Sequence, residues 1–238
     1  MPGGAYSALT GMQARLQSLD RIAADLANIN TAGYKTERTT RFVAERDFAA
    51  ALDSAVDVTS GGTRTDLMPG SITNTGRSLD VAIDGQGFFA IQTQAGLRYT
   101  RSGNFTRRAD GVLATVQGDP VLDAQHKAIK LGTGVLAIEE NGTITSDKSP
   151  IGRIPVWQID EQDLIRESGS RFATPPGLKP KASDAVLVPN SLEQANVTTV
   201  DRMTMLTEAS RSFEALQKGI SVLMNDIDSR AITELGRK

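Results

Sequence analysis

The chain has no cysteine, a single histidine and a single tryptophan in 238 residues, and aromatics make up only 5% of it. Without cysteine there is no disulfide, no thiolate metal ligand and no thiol nucleophile. The lone His126 lies in Asp123-Ala124-Gln125-His126-Lys127, a polar stretch that reads as a surface turn. One imidazole without cysteine has little from which to build a metal site. No run approaches the roughly 18 apolar residues of a membrane-spanning helix, so no membrane insertion is expected. The start, Met1-Pro2-Gly3-Gly4, lacks a basic and then an apolar region, and no Sec-type signal peptide is expected. An excess of one charge sign is also missing. The 26 basic and 28 acidic residues leave a net charge of -2, which gives no footprint for nucleic acid or an anionic surface.

The motifs of chemistry are equally scarce. There is no phosphate-binding Gly-rich loop and no Gly-x-Ser-x-Gly elbow. Gly85-Gln86-Gly87 is too short for a dinucleotide fingerprint. Asp80 and Asp84 before Gly85 lack the spacing and the following Glu of a calcium loop. Asp110, Asp147 and Asp160-Glu161-Asp163 read as solvated carboxylates. No catalytic, cofactor-binding or metal-binding residue is expected, and no cofactor.

What is present is periodicity at both ends. Met203, Leu206, Ala209, Phe213, Leu216, Ile220, Leu223 and Ile227 recur, after the first step, at alternating spacings of three and four. Leu9, Met12, Leu16, Leu19, Ala23 and Leu26, preceded by Ala5, keep the same rhythm. That is a heptad seam, narrow enough to want one partner along its length. Glu214 stands four residues before Lys218, the favourable order for an exposed helical pair. The seams could belong to ordinary amphipathic helices lying on their own domain. They could instead pair with each other, with copies from other subunits, or with both. An isolated seam helix is marginal in water, which predicts ends that order only against neighbours.

The first helix is expected from about Ala5 to about Asn30, with Gly33 as its stop. Phe42, Val43, Phe48, Leu52 and Val56 could line a short helix, and Ser60 to Gly70 reads as a connection. The centre reads as β. Leu79, Val81 and Ile83 alternate with Asp80, Ala82 and Asp84, as in a half-buried strand. Asp110-Gly111 and Asn141-Gly142 mark hairpin turns, and Ile154 to Ile159 reads as a further strand. The second long helix is expected to begin at a capping box, Ser191 with Gln194, or at Thr198 with Asp201, and to run to about Leu235. The expected fold is α+β: an N-terminal coiled-coil helix in residues 1–35, a connecting segment in 36–70, a central all-β domain in 71–190 and a C-terminal coiled-coil helix in 191–238.

Three stretches resemble one family. Leu26-Ala27-Asn28-Ile29-Asn30-Thr31-Ala32-Gly33-Tyr34-Lys35 is similar to the N-terminal signature of flagellar rod and hook proteins, an Asn-rich helix end followed by Thr-x-Gly-Tyr/Phe-Lys. Thr75-Gly76-Arg77-Ser78-Leu79-Asp80-Val81-Ala82-Ile83-Asp84-Gly85-Gln86-Gly87-Phe88-Phe89, continued by Tyr99-Thr100-Arg101-Ser102-Gly103-Asn104-Phe105, resembles their central signature. Ser191-Leu192-Glu193-Gln194-Ala195-Asn196-Val197 resembles the segment before their C-terminal helix. Asp25 departs from the pattern, since the family commonly has Asn there. The chain's size and Ser210-Arg211-Ser212-Phe213-Glu214 resemble the shorter, proximal-rod type rather than the distal-rod type, where Gln-Arg-Ala-Tyr is usual.

The resemblance implies a structural subunit of the flagellar basal body, in the rod that carries torque across the periplasm. It implies export by the flagellar type III apparatus, with other rod subunits and copies of the same chain as partners. The terminal helices would form the inner tube, with the seam residues as assembly interface and the β domain outside. A distal-rod or hook-type protein is the second reading within the family. A soluble β-domain hydrolase or carbohydrate binder is the reading from another class. It would need converging acid, base or nucleophile groups, or exposed aromatics, and three Tyr and one Trp supply little.

Overall fold

The computed structural model describes residues 2–39 and 63–235, with side chains described from 11 to 38, from 63 to 219 and at 221–222. The helix expected around Phe42 to Val56 lies outside the described residues. The chain divides into two units. One holds residues 1–27, 39–63 and 199–238, and the other holds 28–38 and 64–198. Two long helices and a β-rich centre make the architecture α+β.

The helical unit contains α1, Pro2–Ala27, and α2, Thr199–Leu235. The two pack against each other. At 1.5 Å per residue, the 37 residues of α2 span about 55 Å. No helix among the described residues is long and apolar enough to cross a membrane. Both boundaries differ in part from the sequence expectation. α1 stops at Ala27, short of Asn30. Gly33 does have positive φ, at +67°, but it lies six residues past the helix end, in a turn. α2 starts at Thr199, at the second candidate. The capping-box candidate fails because Ser191–Glu193 is a strand, paired antiparallel with Ile72–Asn74. Pairing with a strand 119 residues earlier satisfies that backbone, and a local helical start cannot compete with it.

The β unit is a set of short antiparallel sheets. The largest has four strands, in the order Ile165–Arg166, Arg171–Ala173, Gly96–Thr100, Phe89–Thr93. A three-stranded sheet joins Ser149–Arg153, Thr143–Ser146 and Leu136–Ile138, with a bulge between Ile144 and Thr145. Asp110-Gly111 lies in the turn of the hairpin between Phe105–Arg107 and Leu113–Thr115, and Gly111 takes φ +80°. Asn141-Gly142 joins Leu136–Ile138 to Thr143–Ser146, with Gly142 at φ +82°. Both turns need a positive φ, which glycine adopts without a Cβ penalty. Thr63–Thr65, expected as part of a connection, pairs with Glu37–Thr39. Of the strand expected over Ile154 to Ile159, only Trp157–Gln158 is strand, paired with Lys181–Ala182.

Two apolar clusters fill this unit, and one strand serves both. Phe89 and Ile91 lie in the larger, with Val81, Ile83, Phe105, Leu113 and Leu187. Phe88 and Ala90 lie in the smaller, with Tyr99, Leu122, Ile159 and Phe172. Successive side chains of a strand face opposite ways, so this strand is covered on both sides. Edge-on ring pairs tie each cluster: Phe89 to Phe105 at 5.2 Å, and Phe88 to Phe172 at 5.4 Å. The same covering corrects the half-buried reading of Val81–Asp84. Val81, Ala82 and Ile83 are all buried, and so is Asp80; only Asp84 is exposed. The pairing of Val186–Pro189 with Val81–Asp84 brings a distant strand alongside, which no local period can announce.

Candidate functional site

The expected seam residues divide sharply. In α2, Ala209 is buried, and Leu206, Phe213 and Leu216 are half-buried. Met203 is 52% exposed. Its expected place on the inner face is taken by Arg202, whose side chain is 19% exposed. Arg202, Leu206, Ala209, Phe213 and Leu216 are spaced 4, 3, 4 and 3, so they share one helical face. In α1, Met12, Leu19 and Leu26 are half-buried, Leu16 is 43% exposed and Ala23 is exposed. Among the described side chains of α1, the buried positions are Ile22 and Asp25. The side chains of Leu9, Ile220, Leu223 and Ile227 lie outside the described ones.

Asp25 and Arg202 meet. Oδ2 of Asp25 lies 3.1 Å from Nη1 of Arg202, with the Asp25 side chain 7% exposed. Nε of Arg202 is buried with no hydrogen-bond partner.

In the β unit the three signature stretches converge on one carboxylate. Glu193 is buried, and its Oε1 accepts a 2.5 Å bond from Nζ of Lys35 and a 2.9 Å bond from the backbone N–H of Gly70. Its Oε2 accepts a 2.5 Å bond from Nε of Arg101. The Lys35 ammonium also donates to the carbonyl of Met68 at 2.7 Å. The remaining donors of Arg101 go to backbone carbonyls: Nη1 to Gly87 at 3.0 Å, and Nη2 to Gly85 at 2.6 Å and Ile83 at 3.2 Å. One acid thus faces two bases, all buried, and the surplus cation leans on backbone dipoles. Burial pushes the Lys35 ammonium below its ordinary pKa, and the bond from Lys35 to Glu193 pulls partly back.

Backbone contacts surround this cluster. Gly33 N–H donates to the carbonyl of Glu193 at 2.7 Å, and Asn196 N–H to that of Tyr34 at 3.3 Å. The Asn196 side chain accepts from Thr36 N–H at 2.9 Å and donates to the carbonyl of Asp66 at 2.9 Å. Arg166 sits 4.5 Å over the Tyr34 ring and donates to the carbonyl of Lys35. A Cβ on Gly33 would strike the Arg101 backbone, and one on Gly70 the carbonyl of Gln194. The residues after α1 and those before α2 are therefore stitched side by side. The sequence marked Lys35, Arg101 and Glu193 only as parts of signatures. Each has polar neighbours, such as Thr36, Ser102 and Gln194, so no local pattern singled them out.

The cluster's acid and bases are mutually satisfied, and among the described residues no group of three or more His, Asp and Glu could hold a metal. His126 is exposed and stacks on Trp157 at 5.5 Å, in a turn where it takes φ +58°.

Three families match the chain in order. A flagella basal body rod protein family matches residues 6–35. The flagellar hook protein FlgE/F/G D1 domain matches 82–146, and the flagellar basal body rod FlgEFG protein C-terminal family matches 188–232. The flagellar basal-body rod protein FlgF of Caulobacter vibrioides is 30% identical, over 100% of this chain and 99% of its own length. FlgF of Mesorhizobium japonicum is 32% identical over the whole of both chains. FlgG of Bacillus subtilis is 32% identical over 91% of this chain and 93% of its own. The chain belongs to the flagellar basal-body rod protein family, a structural class. Within it the similarity is to the FlgF type first and the FlgG type second.

Proposed function

We propose that this chain is a subunit of the proximal part of the flagellar rod and polymerises through its terminal helices into the torque-transmitting shaft. One observation carries the reading. After α1 and α2 have packed on each other, Leu16, Met203, Met205, Val200 and Val222 remain 43%, 52%, 44%, 74% and 67% exposed. Apolar side chains left exposed on an already paired helix duo suit further helices, packed in coiled-coil fashion with copies and neighbouring rod subunits. Leu9, Met12, Leu16, Leu19, Ala23 and Leu26, with Met203 through Ile227, form the proposed assembly interface. A heterologous contact of that kind does not close and builds a helical filament. The β unit, with its own filled core, would lie outside. Export by the flagellar type III apparatus and a place in the periplasm-spanning rod complete the proposal.

Leu16→Asp tests it. The side chain is already exposed in the single chain, so folding should survive, while rod assembly and swimming should be lost. Normal motility in cells carrying only this variant would refute the role of the seam.

A further inference from the structure

The Asp25–Arg202 pair is set against both of its own helices. Asp25 lies in the last turn of α1, where the macrodipole is negative and an acid is unfavourable. Arg202 lies in the first turn of α2, where the macrodipole is positive and a base is unfavourable. Each charge is well placed only with respect to the other helix. The negative end of α1 meets Arg202, and the positive end of α2 meets Asp25. Both charges are also largely desolvated, with side chains 7% and 19% exposed. Two charges taken out of water in this way add little to net stability compared with a packed apolar pair. What they do well is penalise every other alignment. Slipping α2 by one turn would place Ile22 beside Arg202, or carry Arg202 past the end of α1 at Ala27, and either way part the two ions.

We propose that Asp25 and Arg202 form a register key, which fixes the alignment of α1 on α2 and rejects helices lacking the complementary charge. The location supports this. Ile22 lies three residues before Asp25 on the same face, and Leu206 and Ala209 lie four and seven after Arg202. The key therefore closes one end of an otherwise apolar seam. Apolar seams tolerate slippage, and a single buried polar pair is the best-attested device against it.

The full chain supplies a clean test, because it has no cysteine. Spin labels are placed at the exposed positions Gln17→Cys and Arg211→Cys, and their separation is measured by pulsed electron resonance. The parent should give one narrow distance. Asp25→Arg and Arg202→Asp should each broaden it or move it off the parental value, since a slip of one helical turn displaces α2 by about 5.4 Å along α1. The double variant Asp25→Arg/Arg202→Asp should restore the parental distance. Trp157, in the β unit, reports separately that the chain is folded. A broad distance in the parent, single variants with the parental distance, or a double variant that stays broad would each overturn the key. The rod reading rests instead on motility of Leu16→Asp, so either proposal can fail alone.

Discussion

The two units of this chain use buried charge in opposite ways. In the β unit, Lys35, Glu193 and Arg101 lie beside apolar clusters that already bury some twenty side chains, from Val81 to Leu187. In the helical unit, Ile22 and Ala209 are the buried apolar residues among those whose side chains are described, and an ion pair sits next to them. The first unit has a core and can carry a charge cluster as a stitch. The second has a thin seam, and its charges fix alignment more than they add stability. One unit buries a core of its own, and the other buries little among its described side chains.

Removing the stitch should have the largest effect. Glu193→Ala leaves Lys35 and Arg101 buried without their acid, a loss of about 3–5 kcal/mol. Thermal unfolding followed by Trp157 fluorescence should show a large drop in midpoint, and an unchanged midpoint would equate the two units' charges. Gly33→Ala comes next. It forces a positive φ on a residue with a Cβ and pushes that atom against Arg101, at a cost of about 1–3 kcal/mol. The same melt measures it.

Leu216→Asp should act on the helical unit alone. Helical circular dichroism should fall at lower temperature, while the Trp157 transition moves by less than about 0.5 kcal/mol. Limited digestion sharpens the same contrast. Cleavage should come first in α1 and α2 and leave resistant material from residues 28–38 and 64–198, the β unit. That material keeps Lys35 and Asn196, because both are stitched into it. Equal resistance of the helices would remove the distinction between the units.

The smallest effect concerns pH. The Arg108 guanidinium, bonded to Asp110 across an exposed turn, holds the Asp110 carboxyl down at about 2, helped by the Val112 N–H. A lowered carboxyl pKa gives stability that is present above the unfolded value and fades as pH falls toward about 2. An NMR titration of Asp110 should show it still ionised at pH 3, and its return to the ordinary carboxylate range in Arg108→Ala.

Much of this was written locally. Period 3.5 at both ends announced two long helices, and Asp110-Gly111 and Asn141-Gly142 announced two hairpins, because those signals are set by neighbours in the chain. The signatures identified the family for the same reason. The sequence did not show that Ser191–Glu193 is a strand, that Val81–Ile83 is covered on both faces, or that Arg202 takes the seam position expected of Met203. Each of these depends on residues far along the chain: Ile72–Asn74, the apolar cluster out to Leu187 that packs on Val81 and Ile83, and Asp25. Periodicity tells which face of an element is apolar, but not what comes to lie against it. Only the tertiary structure brought Lys35, Arg101 and Glu193 to one point, since a buried ion cluster is defined by distances that no spacing along the chain encodes.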